Sequence, residues 1–214
     1  MTTKTVQSPR GVSVEMHARD DTSDLATIGS TWRLWDVLND EYGLADIHSD
    51  GVMLDVGAHI GSVCIAFLVD NPNARAIAIE PLPENVEMIR KNAESAGVAD
   101  RLTILNAAIG SSVIHYGFDD HRYIGNIGGS SANTAITAAT VALAEQGPID
   151  IIKVDCEGCE WSLLADPAIA NVRLIVGEWH GAPVSRLRKA LTKTHKVTIV
   201  TDDGGFGTFR AVRK

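Results

Sequence analysis

The sequence predicts an α/β fold, doubly wound around a mostly parallel sheet and closed by an antiparallel C-terminal strand. Three observations predict it. Short apolar runs alternate with segments of helical period from residue 52 onward. The first run leads into Asp55-Val56-Gly57-Ala58-His59-Ile60-Gly61, a strand-to-helix turn with two glycines four apart. The last two runs are separated by Asp202-Asp203-Gly204-Gly205, a hairpin signal that reverses the final strand.

Taken in order, the first 20 or so residues read as irregular, with a short strand at Val12 to Met16. Asp24 to Tyr42 reads as a helix, because Leu25, Ile28, Trp32, Trp35, Leu38 and Tyr42 fall near helical spacing. Then the alternation begins. Val52 to Val56 is a strand, Ile60 to Val69 a helix, Ala74 to Ile79 a strand. Pro83 to Ala96 is a helix, with Pro83 in its first turn and Gly97 as its stop. Leu102 to Asn106 is a strand. Ala107 to Gly147 breaks the rhythm with Gly110, Gly117, Gly125, Gly128 and Gly129, strand-like pieces near Val113 to Phe118 and Asn133 to Ile136, and a helical stretch at Ala138 to Glu145. The rhythm resumes with a strand at Ile149 to Val154, a short helix at Glu160 to Leu164 and a strand at Val172 to Val176. A helix at Pro183 to Thr194 and strands at Lys196 to Thr201 and Phe206 to Val212 follow.

The chain has 214 residues, enough for one domain with a sizeable core and too few for two full ones. We therefore expect a single domain over 1–214, with 1–50 as a lead-in helix region and 108–147 as an inserted acceptor-binding segment. The net charge of −8 speaks against a general nucleic-acid binder. No apolar run approaches the ~20 residues of a membrane helix, and the polar Met1-Thr2-Thr3-Lys4-Thr5 start lacks a signal-peptide core. Cys64, Cys156 and Cys159 then suggest reduced thiols in a cytoplasm, with Cys156 and Cys159 two free thiols. A structural zinc would need a second pair, which the sequence lacks. Oligomeric state is not legible, and a homo-oligomer remains open.

In open α/β sheets, ligands sit beyond the carboxyl ends of the strands. The residues expected there are Asp55, Glu80, Asn106, Asp155 and Glu178, all polar. A dinucleotide fold would carry G-x-G-x-x-G at the first turn, and this chain has D-x-G-x-x-x-G. The pattern fits a nucleoside–amino acid ligand such as S-adenosylmethionine. A carboxylate at Glu80 is suited to accept both ribose hydroxyls, or is an ordinary acid favoured by a helix N-terminus. Leu82 is expected to pack on the adenine, with Asn106 and Ala107 at its edge. Gly57 and Gly61 leave room for the amino acid part, His59 lies inside the turn, and Asp55 orders it.

Asp155, Glu157 and Glu160 crowd one strand exit, and like charges that close call for a cation or donors. Lys153 is placed on a different face from Asp155. Glu178 and His180 share a face at the neighbouring strand. His180 is suited to accept a hydroxyl proton, or makes a structural hydrogen bond. Asp155, Glu178 and His180 also form a hard-ligand set for Mg²⁺ or Mn²⁺, with Asp155 close to the cofactor as well.

Together, Asp55 to Gly61, Glu80-Pro81, Asn106 to Gly110, Asn126 to Ser131, Lys153 to Glu160 and Glu178-Trp179-His180 resemble the FkbM family of S-adenosylmethionine-dependent methyltransferases. The resemblance covers nearly the whole chain, and K-x-D-x-E-G-x-E is its most specific part. It implies a class I (Rossmann-like) methyltransferase fold and O-methylation of a hydroxyl on a sugar, glycan or polyketide-type small molecule. His59, where the family often has Asn, and the cysteines at 156 and 159 depart from it. On this reading S-adenosylmethionine is the cofactor and His180, Asp155 and Glu178 are catalytic. Asn126, Ser130 and Ser131 pair with acceptor hydroxyls. The rival readings are a nicotinamide oxidoreductase, a non-catalytic cofactor-binding scaffold, and a methyltransferase acting on nucleic acid or another small molecule. The acidic balance opposes nucleic acid.

Overall fold

The computed structural model describes residues 1–110, 114–118, 125–127 and 135–214. In chain order its elements begin with β1 (Thr2–Gln7), β2 (Ser13–Ala18), α1 (Asp24–Thr31), β3 (Val52–Val56), α2 (Ser62–Asp70), β4 (Arg75–Ile79), α3 (Pro83–Ser95) and β5 (Leu102–Leu105). Short strands follow: β6 (Ala108–Ile109), β7 (Ile114–Phe118), β8 (Gly125–Ile127), β9 (Ala135–Ala138) and β10 (Thr140–Val141). The chain closes with β11 (Ile151–Val154), α4 (Glu160–Leu164), β12 (Leu174–Trp179), α5 (Val184–Leu191), β13 (His195–Ile199) and β14 (Gly207–Arg213).

The central sheet has seven strands in the order β13-β14-β12-β11-β3-β4-β5. All pairings are parallel except those of β14, which runs antiparallel to both β12 and β13. This is the α/β, Rossmann-like methyltransferase architecture expected, with its reversed C-terminal strand. The order reverses at β3, where β11 lies on one side and β4 on the other, so the switch point lies at the ends of these strands.

Both faces of the sheet are covered, which is why its central strands read as continuous apolar runs. Met53 and Ile151 face a core built with α2, α3 and the β1–β2 hairpin. Leu54, Val56, Ile152 and Val154 face the opposite core, with Leu163, Leu187 and Trp179. Truncating a fully buried residue such as Leu54 removes about 2–5 kcal/mol.

Local chemistry explains the helix ends. Pro83 opens α3, where its missing N–H costs no helical bond. Gly97, at φ +68, closes it: Gly97 N–H donates to Glu94 O and Val98 N–H to Ala93 O, the paired bonds of a Schellman motif.

Several sequence expectations are corrected. The first residues form a regular antiparallel hairpin, with Thr2 opposite Ala18 and Gln7 opposite Ser13. The helix expected over 24–42 stops at Thr31. Trp32 turns extended, and its indole N–H donates to Ser62 O in the core, 3.0 Å away. The stretch 138–145 is no α-helix: β-branched Thr140 and Val141 pair in parallel with Ala108 and Ile109, and a 3-10 turn follows at Leu143–Gln146. Within 108–147, β7 pairs with β8 and β9 to form a separate antiparallel sheet. Ser130 and Ser131 lie outside the described residues, as does the side chain of Asn126. Cys156 and Cys159 are joined as a disulfide, so they are not two free thiols, and Cys64 is buried and unpaired. Among the described residues, no helix is long and apolar enough to cross a membrane.

Candidate functional site

A cavity of about 600 Å³ opens at the switch point, within the size range of a small-molecule site. Its wall includes Gly57, Ala58 and His59 after β3, Glu80 and Pro81 after β4, Ala107 after β5, and Asp155 to Glu157 after β11. The N-terminal segment contributes Thr27, Ser30, Glu41 and Tyr42, and Ser62, Asn85 and Lys153 also line it.

Asp55 is fully buried behind this wall. Its Oδ2 accepts Cys64 N–H at the start of α2 (3.1 Å), and Oδ1 lies 3.3 Å from Lys153 Nζ. Lys153 Nζ donates to Gly57 O at 2.8 Å, so one buried ammonium holds both the acid and the carbonyl of the glycine turn. Burial opposes this charge, yet Asp55 and Asp155 together keep the lysine's pKa raised. The expectation that Lys153 faces away from Asp155 is thus wrong. Residues two apart on a strand share a face.

Gly57 has φ +76, and a Cβ there would stand 1.9 Å from the backbone oxygen of Asp155. Its glycine character therefore serves the close approach of the neighbouring strand exit, where room for a ligand was expected. Gly61, at φ +83, starts α2, and a Cβ would press on Ile65 and Ile89.

Glu80 is 4% exposed, and its two oxygens are aimed into backbone. Oε2 accepts His59 N–H at 2.8 Å; Oε1 accepts Leu82 N–H at 3.0 Å and the Asn85 amide at 3.1 Å. Burial outweighs these donors and pushes its pKa up to about 7. Each oxygen has two lone pairs, so Oε2 retains acceptor capacity toward the cavity. Leu82 is buried at the head of α3 and is not on the wall; Pro81 is. The Asn106 amide donates to the carbonyls of Glu80 and Pro81, at 3.0 and 2.9 Å. Asn106 therefore braces the loop from outside the cavity, whereas Ala107 is on the wall. His59 has φ +52, and its Nε2 lies 3.5 Å from Asp24 Oδ1.

The second constellation sits where β11 and β12 end. One ligand atom each from Asp155, Glu178 and His180 lie within 4.8 Å of one another. His180 Nδ1 bonds Glu160 Oε1 at 2.8 Å, and Nε2 lies 3.3 Å from Glu178 Oε2 and 3.8 Å from Glu157 Oε2. Although burial favours the neutral ring, these carboxylates push its pKa up to about 11. With a carboxylate at each ring nitrogen, the imidazolium donates at both positions. The set does fit a hard divalent cation: Glu160 orients the ring through Nδ1, leaving Nε2 beside two carboxylates. A cation there would supply charge neutralisation in place of the proton.

Glu41 and Tyr42 were missed from sequence because they were read as part of a long helix. Glu41 hydrogen-bonds Glu178, and burial with that neighbour pushes its pKa up to about 7. The Tyr42 hydroxyl donates to Asp155 Oδ2 at 3.1 Å, and its ring centroid lies 5.6 Å from Lys153 Nζ. The only sequence signal was their adjacency, an acid and an aromatic after a loop-forming Asn39-Asp40.

Comparison with known proteins places this geometry. Residues 44–168 match the model of the precorrin methyltransferase domain. A protein of Pyrobaculum calidifontis named as a cobalt-precorrin-6B C(15)-methyltransferase (decarboxylating) is 31% identical over 108 residues. That match spans 49% of this chain and 54% of the relative, so it covers about half the length of each. A precorrin-6y C5,15-methyltransferase from Geobacter metallireducens superposes with a TM-score of 0.50 at 17% identity, covering 81% of this chain and 85% of the other. A candidate transferase from Pyrococcus horikoshii superposes with a TM-score of 0.52 at 13% identity, covering 99% and 71%. At such identities the two structures speak for the fold alone. The family match overturns the resemblance to the FkbM family.

Proposed function

The chain belongs to the precorrin methyltransferase domain family, and we propose that this S-adenosylmethionine-dependent methyltransferase methylates a ring carbon of a precorrin-type tetrapyrrole. The observation that carries the reading is the family match, which takes in the part of the cavity wall that runs from the glycine turn to the loop after β11. O-methylation of a sugar or polyketide hydroxyl finds no support in it, nor does a glycan partner.

The site's chemistry agrees with a carbon acceptor. A pyrrole-type carbon attacks with its own π electrons. The C–S bond of the sulfonium breaks, its electron pair stays on sulfur, and the new C–C bond forms. The positive charge left on the conjugated ring is discharged by loss of a proton or of carbon dioxide. No hydroxyl must be deprotonated first, so a protonated His180 is no obstacle. The protein's main task is alignment of carbon with methyl.

In this reading the cofactor occupies the cavity. Glu80 Oε2 accepts a ribose hydroxyl, Pro81 and Ala107 flank the base, and Gly57 and His59 border the amino acid part. Asp155, Glu178 and His180 form the charged end toward the methyl, holding either a proton or a hard cation. Asp55, Gly61, Leu82 and Asn106 act one layer back, by shaping the loops. The single-domain organisation over 1–214 and an acceptor role for 108–147 belong to the same proposal.

The test begins with calorimetric titration of S-adenosylhomocysteine into wild type and Glu80→Ala. One-site binding that is lost in the variant supports the cofactor placement. The protein is then given S-adenosylmethionine with a ¹³C methyl group and cobalt-precorrin-6B. A new carbon-bound methyl resonance supports the proposal. Cofactor binding without transfer to this acceptor, or label on oxygen, would reject it.

A further inference from the structure

The segment between α1 and Glu41 is a loop whose two feet stand on the cavity wall. Glu41 N–H donates to Ser30 O at 3.0 Å, and the Asn39 amide donates to Gly29 O at 2.8 Å. Ser30 and Glu41 both line the cavity. At the tip, Leu34 and Val37 exchange backbone bonds of 2.9 and 3.0 Å around a two-residue turn. Leu34 is buried and anchors this turn from below.

The two tip residues are Trp35 at φ +50 and Asp36 at φ +64. Such a turn ordinarily takes Asn-Gly or Asp-Gly, since the left-handed region suits residues without a bulky Cβ substituent. A tryptophan there is a local conflict, and conflicts of this kind cluster at ligand-contacting sites. Nor does burial compensate it, because Trp35 is 72% exposed. Arg33 lies at the foot of the same turn, its Nη1 donating to Asp36 O at 3.4 Å. An exposed indole and a guanidinium two residues apart, on a loop rooted in the cavity wall, suit a flat conjugated ligand carrying carboxylates.

We infer that Trp35, with Arg33 two residues before it, is a further acceptor-binding element of this enzyme and stacks on the face of the tetrapyrrole. The inference rests on the tetrapyrrole reading above and goes beyond it by assigning the residues that grip the acceptor. The word "decarboxylating" in the Pyrobaculum calidifontis relative's name means that its acceptor bears a carboxyl group. Asp155, Glu157 and Glu178 would repel such a group, and Arg33 offers it a counter-charge away from them.

The probe is uroporphyrin, a stable planar tetrapyrrole polycarboxylate, titrated into the protein saturated with S-adenosylhomocysteine and followed by the porphyrin's own absorption band. Wild type is expected to bind and shift the band. Trp35→Phe should stay within about threefold of wild type. Trp35→Gly should weaken binding about tenfold or more, the usual range for loss of an aromatic stack. Glycine accepts the left-handed turn, so the same variant should melt no lower than wild type and bind S-adenosylhomocysteine unchanged. Unaltered porphyrin binding by Trp35→Gly would overturn the Trp35 assignment alone. Joint loss of stability and of both ligands would also overturn it, by showing a structural role. A wild-type protein that binds S-adenosylhomocysteine but not uroporphyrin would overturn the inference and count against the tetrapyrrole reading.

Discussion

The hydroxyl of Tyr42 donates to Asp155 Oδ2 across 3.1 Å, tying the segment before β3 to the exit of β11. Both groups are shielded, so the bond has no ready substitute in water. Tyr42→Phe is expected to lower stability by about 1.5–3 kcal/mol, the range for a lost bond to a charged partner. S-adenosylhomocysteine binding should weaken as well, because the freed carboxylate no longer keeps one orientation. Urea unfolding and calorimetry on the same preparation check both. Unchanged values in the two would mean that the tie contributes nothing.

Gly57→Ala should be among the most damaging single-methyl changes in the protein. The added Cβ would meet the Asp155 carbonyl at 1.9 Å and would occupy φ +76. About 3 kcal/mol or more of destabilisation is expected, from backbone strain and strand displacement together. Thermal melting measures it. A Gly57→Ala protein melting within two or three degrees of wild type would refute this account of the turn.

Stability should fall as pH rises, in two windows of different origin. Glu80 holds its proton to about pH 7 when folded and to about 4.5 when not, so its share declines between those values. His180 is raised to about 11 from 6.5. Its contribution is complete below pH 6.5 and is lost as pH climbs to about 11. Denaturation midpoints across pH 7 to 10 should slope downward in wild type and flatten in His180→Gln. Equal slopes would show that the carboxylate cage does not hold the proton.

A divalent cation at Asp155, Glu178 and His180 must displace that same proton. Mn²⁺ binding, followed by electron paramagnetic resonance, is therefore expected to tighten from pH 6.5 to 8.5 with release of a proton. It should disappear in His180→Gln. Binding that ignores both pH and the substitution would place the ion elsewhere.

The parts of the molecule that announce themselves in the sequence are those governed by local period and turn chemistry. β3 and its turn are legible because Val52 to Val56 is uniformly apolar apart from Asp55, and only glycine tolerates the backbone at 57 and 61. Pro83 and Gly97 mark α3 almost to the residue. What escaped depends on partners far along the chain. The β1 run Thr-Thr-Lys-Thr-Val-Gln buries only Val6 and carries no apolar alternation, so its pairing with β2 is invisible locally. Trp32 and Tyr42 keep helical spacing, yet Trp32 is drawn to Ser62 and Tyr42 to Asp155. Likewise the polar strand ends were foreseen as residues, while the role of His180 turns on Glu157, Glu160 and Glu178 converging from three separate positions.

β14 follows every other strand in sequence yet lies between β12 and β13 in the sheet. During synthesis, therefore, the strand bearing Glu178 waits with one edge open until β14 has been made and inserted. Glu178 pairs in register with Thr208, so the acidic end of the site is completed only then. A nascent chain could fold its glycine turn and Glu80 loop early and still be unable to finish the charged cluster. Assembly order alone would keep the charged end of the site from forming ahead of the rest of the sheet.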